Sequence, residues 1–176
     1  MRLLIGLGGN QGDVLDAFSG AVAALRPHLR VVALSGIWRS SAQGPPQPDF
    51  LNAAALVESA AHPLAILALC QRLEAEAGRD RTLEERWGPR TLDLDLLVAP
   101  GLVIETPALV LPHPRLAERR FALAPVVELA PEWVHPRLHR TLAELAAAPE
   151  IAAQRCDLIG GLRPTSESVR RRSLSG

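Results

Sequence analysis

Six stretches of this sequence follow one another in the order strand, helix, strand, strand, helix, strand. Residues 2–7 (RLLIGL) are apolar and read as a buried strand. A glycine-rich turn follows, Gly8-Gly9-Asn10-Gln11-Gly12-Asp13, and Asp13 is placed to cap a helix over residues 14–25 that stops at Pro27. Residues 29–38, rich in Val and Leu, predict the second strand. Pro45, Pro46 and Pro48 then forbid a helix or a central strand, so residues 40–48 form a surface loop. The third strand spans 50–58. His62-Pro63 opens a second helix whose apolar residues Ile66, Leu69, Cys70, Leu73 and Ala77 recur at helical spacing, with Gly78 as its stop. A polar loop over 79–91 leads into the fourth strand, 93–99.

This order predicts an α+β fold, a ferredoxin-like βαββαβ core with a mainly antiparallel sheet and helices packed on it. A Pro-His-Pro turn at 112–114 and extra C-terminal helices near 121–129 and 142–148 complete the reading. From Gly160 the composition shifts to Gly, Ser, Thr and Arg, which predicts a flexible tail over 160–176. The 176 residues suit one domain, expected over 1–159.

Charge narrows the chemistry. The 19 cationic residues are all Arg, and 19 Asp and Glu balance them, so net charge is zero. No basic field for nucleic acid exists. No lysine can act as a phosphate clamp or Schiff base; arginines, backbone amides or a metal must hold any phosphate. The two cysteines, Cys70 and Cys156, are far apart and read as reduced thiols of a cytoplasmic protein. No apolar stretch approaches the ~20 residues of a membrane span.

The chemistry concentrates in Arg86-Trp87-Gly88-Pro89-Arg90-Thr91-Leu92-Asp93-Leu94-Asp95-Leu96-Leu97. Strand side chains alternate, so Asp93 and Asp95 share one face while Leu92, Leu94 and Leu96 enter the core. Two carboxylates completed by phosphate and water are a usual way to hold Mg²⁺. Arg79, Arg81, Arg86 and Arg90 precede them, and cations for phosphate beside acids for metal are what phosphoryl transfer needs.

This stretch resembles the signature of the 6-hydroxymethyl-7,8-dihydropterin pyrophosphokinase family. Other features resemble the family in order: the opening strand with its G-x-N-x-G-D turn, the Pro/Gly loop before Pro48-Asp49-Phe50-Leu51-Asn52, the helix with Gln71-Arg72-Leu73-Glu74, and Pro112-His113-Pro114-Arg115-Leu116 ahead of Arg119 and Phe121. The resemblance runs from about residue 3 to 131. It implies transfer of pyrophosphate from ATP to the pterin hydroxymethyl group, with release of AMP, in folate biosynthesis.

By matching position it implies Asp93 and Asp95 as ligands of two Mg²⁺ ions, and Arg81 and Arg90 as catalytic phosphate clamps. Gln71, Glu74, Trp87, Leu96, His113 and Arg119 match positions around ATP, with Arg81 and Arg90. Ser40, Ser41, Ala42, Gln43, Phe50, Asn52, Trp87, Asp93 and Phe121 match positions around the pterin. The loop over 79–90 is expected to be open when free and closed over both substrates. Partners are expected to be small molecules only, with no nucleic acid and no membrane, and the protein a monomer. Gly9 stands where the family commonly has Ser, Phe50 where many members have Tyr, and Ala108 and Val110 where some have polar ATP contacts.

Two readings from other classes compete. A ferredoxin-like regulatory module would bind a small ligand without chemistry, and has no need of two strand acids beside an arginine loop. An RNA-recognition module shares the strand order but needs aromatics on its central strands. Here those strands are aliphatic.

Overall fold

A computed structural model of the chain describes residues 1–42, 46–78 and 88–162. Its first strand, β1 (Arg2–Gly9), alternates between two destinations. Leu3, Ile5 and Leu7 are buried on one face, and Leu4 on the other, where Gly6 and Gly8 then follow. Helix α1 (Val14–Leu25) starts where Asp13 accepts a hydrogen bond from the Asp16 amide at 3.0 Å. The strand expected over 29–38 is divided into β2 (Arg30–Leu34) and β3 (Gly36–Ser40). Ser35 causes the break without ending the pairing. Its amide donates to the Ala54 carbonyl, and its hydroxyl accepts from the Ala54 amide at 2.8 Å. Both halves therefore pair antiparallel with β4 (Phe50–Glu58).

Helix α2 (Pro63–Glu76) begins as expected, with Pro63 in its first turn and the His62 ring accepting from the Leu64 amide. Strand β5 (Asp93–Val98) follows. A small hairpin, β6 (Ile104–Glu105) with β7 (Val110–Leu111), precedes a 3-10 turn at Leu116–Glu118 and helix α3 (Arg120–Leu129). The helix expected over 142–148 is two short ones, α4 (Leu142–Ala146) and α5 (Pro149–Ala152). Pro149 starts the second, where it needs no amide hydrogen.

The sheet runs β5-β1-β4-β3-β8, with β2 also on β4, and every pairing is antiparallel. Its last member, β8 (Cys156–Gly161), is not foreseen from the sequence. It lies mostly exposed, contains two glycines, and carries its pairing, through a register shift, two residues past the expected boundary at 159. Gly36 admits it: a Cβ there would stand 2.4 Å from the Leu158 side chain. Residues 163–176 of the expected tail lie outside the described residues.

Two cores sandwich the sheet. Phe18 of α1 and Ile66 and Leu73 of α2 pack on Leu3, Ile5, Leu94 and Leu96. On the opposite face, Leu123 and Val126 of α3 and Leu142 of α4 pack on Leu4, Ala54 and Leu97. The acids of β5 belong to this second face, beyond the end of its apolar patch. No described helix is long and apolar enough to cross a membrane.

The segment between α3 and α4 encloses His135, 5% exposed. Its Nδ1 accepts from the Arg137 and Leu138 amides, both at 3.3 Å. Burial, and then the Arg137 charge, hold its pKa below the ordinary 6.5. The unfolded chain therefore takes up this proton first as pH falls. The stabilisation is complete above about pH 6.5 and is lost progressively below it. We expect the protein to melt lower at pH 5.5 than at pH 7.5. In His135→Asn, which keeps an acceptor but cannot titrate, the gap should shrink. Thermal melts of both proteins at the two pH values check this.

Candidate active site

Strand register assembles the site before any side chain is considered. Gly8 of β1 lies opposite Asn52 of β4 on one side and Asp93 of β5 on the other. One row further along, Gly6 lies between Ala54 and Asp95. A Cβ on Gly8 would stand 3.8 Å from the Asp93 Cβ and 3.9 Å from the Asn52 Oδ1. Glycine thus leaves a gap between an amide and a carboxylate. That gap is the floor of a cleft between β1, β4, β5 and the start of α3.

Nine of the residues singled out from the sequence line this cleft: Ser40, Ser41, Phe50, Asn52, Arg90, Asp93, Asp95, Arg119 and Phe121. Asn52 is 6% exposed, and its Nδ2 donates to the Ser40 Oγ at 3.0 Å. Arg90 Nη1 meets Asp93 Oδ2 at 2.9 Å, both about three-quarters buried. The Arg119 guanidinium sits over the Phe121 ring, 5.4 Å from its centre, within cation–π range. Burial, and then Arg115, lower the Arg119 pKa. The only large aromatic rings of the cleft are therefore Phe50 and Phe121, among the described residues.

Other expected residues stand elsewhere. The Glu74 carboxylate is 1% exposed and accepts from the Leu94 amide at 2.8 Å, tying α2 to the back of β5. Leu96 is in the core packed under α1 and α2, on the face away from the cleft. Gln71 is exposed on α2, and Ala42 lies beyond the cleft lining, as do Ala108 and Val110. His113 is outside the lining but shares its electrostatics. Burial first, then the Arg119 charge, lower its pKa, while Asp93 opposes them. Its Nδ1 accepts from the Arg115 amide at 3.2 Å, so the neutral ring carries its proton on Nε2. Gln43, Arg81 and Trp87 lie outside the described residues, with most of the expected lid. Burial pushes the Cys70 thiol up to about 12 and the Cys156 thiol up to about 11, so neither is a thiolate at neutral pH.

Asn10 has a role that its turn motif alone does not reveal. It is 6% exposed and joins three segments. Its Oδ1 accepts from the Arg90 amide at 2.8 Å, and its own amide donates to the Arg90 carbonyl at 2.8 Å. Its Nδ2 donates to the Gln47 Oε1 and the Pro48 carbonyl, both at 3.0 Å. The glycine turn, the end of the proline loop and the start of the Arg90 segment are therefore fixed to one side chain.

Asp93 and Asp95 make a donor set suited to a hard cation that takes its other ligands from phosphate and water. Among the described residues no group of three or more His, Cys, Asp or Glu could hold a metal by itself. Two acids, adjacent arginines and two aromatic rings around one cleft together suit a triphosphate beside a planar heterocycle.

A model of the family 7,8-dihydro-6-hydroxymethylpterin-pyrophosphokinase matches residues 4–131. The chain belongs to this family. It is 42% identical over 144 residues to the Synechocystis 2-amino-4-hydroxy-6-hydroxymethyldihydropteridine pyrophosphokinase, covering 81% of this chain and 73% of that one. It is 43% identical over 128 residues to the enzyme of the same name from Bacillus subtilis, covering 71% and 75%. Among solved structures, wild-type Plasmodium falciparum HPPK-DHPS superposes with a TM-score of 0.64 at 11% identity, over 82% of this chain. The chain spans only 42% of that larger protein, and the likeness speaks for the fold.

Gly9 departs from the family's usual Ser, with little loss expected from the sequence. In this chain a Cβ at position 9 would stand 2.6 Å from the Thr91 carbonyl oxygen and 3.1 Å from Val14. Backbone cannot yield as a side-chain tip can. We expect Gly9→Ala to destabilise by about 1–3 kcal/mol, the usual range for overpacking. Urea unfolding of the variant beside wild type measures it.

Proposed function

We propose that this cleft carries out the family reaction with two Mg²⁺ ions held by Asp93 and Asp95. That reaction moves a pyrophosphoryl group from ATP to the hydroxymethyl group of 6-hydroxymethyl-7,8-dihydropterin, with release of AMP, in folate biosynthesis. The observation that carries the proposal is the Asn52–Gly8–Asp93 row, which sets an amide for a heterocycle edge across from the first of two metal-binding acids.

The pterin is held between Phe50 and Phe121 as its two stacking faces, with an edge toward the gap at Gly8. Asn52 meets its amide edge, and backbone around 40–43 reads the remainder. The hydroxymethyl group then points to Asp93. The hydroxyl oxygen attacks the β-phosphorus of ATP and gives up its proton to water, as the bond from that phosphorus to the α-phosphate oxygen breaks and AMP leaves. Bound Mg²⁺ would neutralise the phosphates and lower the pKa of the attacking hydroxyl. Arg90, steadied by Asp93, places its charge on the transferring group, and Arg119 meets the phosphates from the other wall. The neutral His113 offers its Nε2–H to a phosphate oxygen. Arg81 and Trp87 of the loop close over the substrates and exclude water. Gln71, Glu74 and Leu96 border the nucleotide; Glu74 and Leu96 act through the backbone of β5, since their side chains serve the core.

The finer fold assignment belongs here too. The order β5-β1-β4-β3, wholly antiparallel, with α1 and α2 both on one face, supports a ferredoxin-like core. We place one pyrophosphokinase domain from residue 1 through the expected boundary at 159 to Gly161, where β8 finishes its sheet edge. It acts as a monomer on small molecules in the cytoplasm. Incubation with ATP, Mg²⁺ and the hydroxymethyl dihydropterin should release AMP, and no release would exclude the reaction.

Asp95→Asn should keep the fold, because the side chain holds its size and faces the cleft. It should lower turnover more than about a thousandfold, or about 4 kcal/mol. Activity above about a tenth of wild type would remove the metal role. Phe121→Ala should weaken the pterin by about 1–3 kcal/mol, as for loss of one stacking face, and ATP far less. Calorimetric titration of each ligand checks it. Equal weakening of both would place Phe121 in the core.

A further inference from the structure

Helix α3 carries Phe121 in its first turn and Glu128 near its end. Seven residues are close to two full turns, so the two side chains share one face of the helix, about 10 Å apart along its axis. Glu128 reaches β3 with both carboxylate oxygens. Oε2 accepts from the Gly36 amide at 2.9 Å, and Oε1 accepts from the Trp38 indole N–H. Trp38 in turn lies directly opposite Asn52 in the sheet, and Ser40 lies opposite Phe50. The Asn52 Nδ2, besides its bond to Ser40, points at the Trp38 carbonyl at 3.4 Å. One carboxylate therefore connects the helix that bears one stacking ring to the strand that supports the other ring and the recognition amide.

We propose that Glu128 is a positioning residue for the pterin half of the cleft. It holds α3 in register on β3, so that Phe121 stands at a fixed height above the floor of Asn52 and Phe50. The inference rests on the pterin contacts proposed above. The apolar packing of Leu123 and Val126 fixes the depth of α3 but is non-directional, and tolerates slide and rotation about the helix axis. Two hydrogen bonds from separate points of β3 remove that freedom. A slot for a flat ring is sensitive to this, because stacking weakens once the faces separate. Only a carboxylate serves: a glutamine offers one acceptor oxygen, and its NH₂ would oppose the second N–H donor. Trp38 is the side-chain donor to this carboxylate. Glu128 itself is exposed at the surface, so its loss leaves the apolar cores intact.

The experiment compares Glu128→Gln, Trp38→Phe, their double variant and Phe121→Ala by calorimetry. The pterin is titrated onto protein saturated with Mg²⁺ and a non-hydrolysable ATP analogue; the analogue is titrated onto free protein. Glu128→Gln should weaken the pterin about three- to tenfold, the equivalent of one lost net hydrogen bond, with the ATP analogue changed less than about twofold. Trp38→Phe should act in the same direction, and the double variant should be no worse than the poorer single one, because both remove the same contact. Unchanged pterin affinity in both single variants, equal weakening of the two ligands, or strictly additive effects would each overturn the assignment. Phe121→Ala separates the two levels. If it weakens the pterin while Glu128→Gln does not, only the role of Glu128 falls. If it leaves the pterin unaffected, the stacking slot itself falls, and the role of Glu128 with it.

Discussion

The site depends on β1 being a strand with side chains on one face and nearly none on the other. Leu3, Ile5 and Leu7 anchor it in the core under α1 and α2, fully buried. Gly6 and Gly8, on the opposite face, leave it hydrogen-bonded to β4 and β5 with no bulk above the backbone. Glycine in a central strand costs conformational entropy, and such glycines mark places where a ligand or another backbone comes close. Both occur here. Gly8 leaves room between Asn52 and Asp93, and Gly9 lets the Thr91 carbonyl come within reach of the turn. The strand can bear this because pairing on both sides, and apolar anchoring beneath, hold it without help from the cleft face.

The loops above that floor are tied to it through one amide. Asn10 bonds the main chain at Arg90 with both its backbone and its side chain, and bonds the end of the proline loop with its Nδ2. Arg90 is thereby set where its guanidinium meets Asp93. A charge pair of this kind, largely withdrawn from water, is costly unless each partner is well placed. The backbone bonds to Asn10 supply that placement. With zero net charge over the chain, the field at the site comes from local arrangement: arginines at the rim, acids on the floor, and a neutral imidazole beside them.

Much of this was legible in the amino-acid order because the deciding signals are local. The D-L-D-L-L run could bury its leucines only by presenting both acids together, and the core holds Leu94 and Leu96 as that alternation requires. Asp13, Pro63 and Gly78 mark the helix ends by their own backbone chemistry. What depends on distant partners was not legible. Ser35 reads as an ordinary strand residue until its hydroxyl is seen to replace a ladder contact with Ala54. Strand β8 has neither alternation nor strong strand propensity; it forms because β3 offers an edge and Gly36 offers space. Trp38 gives no hint of its carboxylate partner, 90 residues away on α3.

Glu74 and Leu96 show what a matched position does and does not say about contact. Each lies beside the acids in sequence or in space, and each points to the other side of the sheet. The Glu74 carboxylate holds the Leu94 amide, and Leu94 lies between Asp93 and Asp95. A buried carboxylate is tolerable only with such a donor, and the donor here belongs to the strand that presents the acids. Helix α2 therefore constrains β5 from behind while Arg90 constrains Asp93 from the front. The acids are held from two faces, from behind by a carboxylate that lies outside the cleft and from the front by an arginine that lines it. A side chain at a matched position can thus shape the site by fixing a strand, and its chemical identity is then set by the backbone amide it must satisfy.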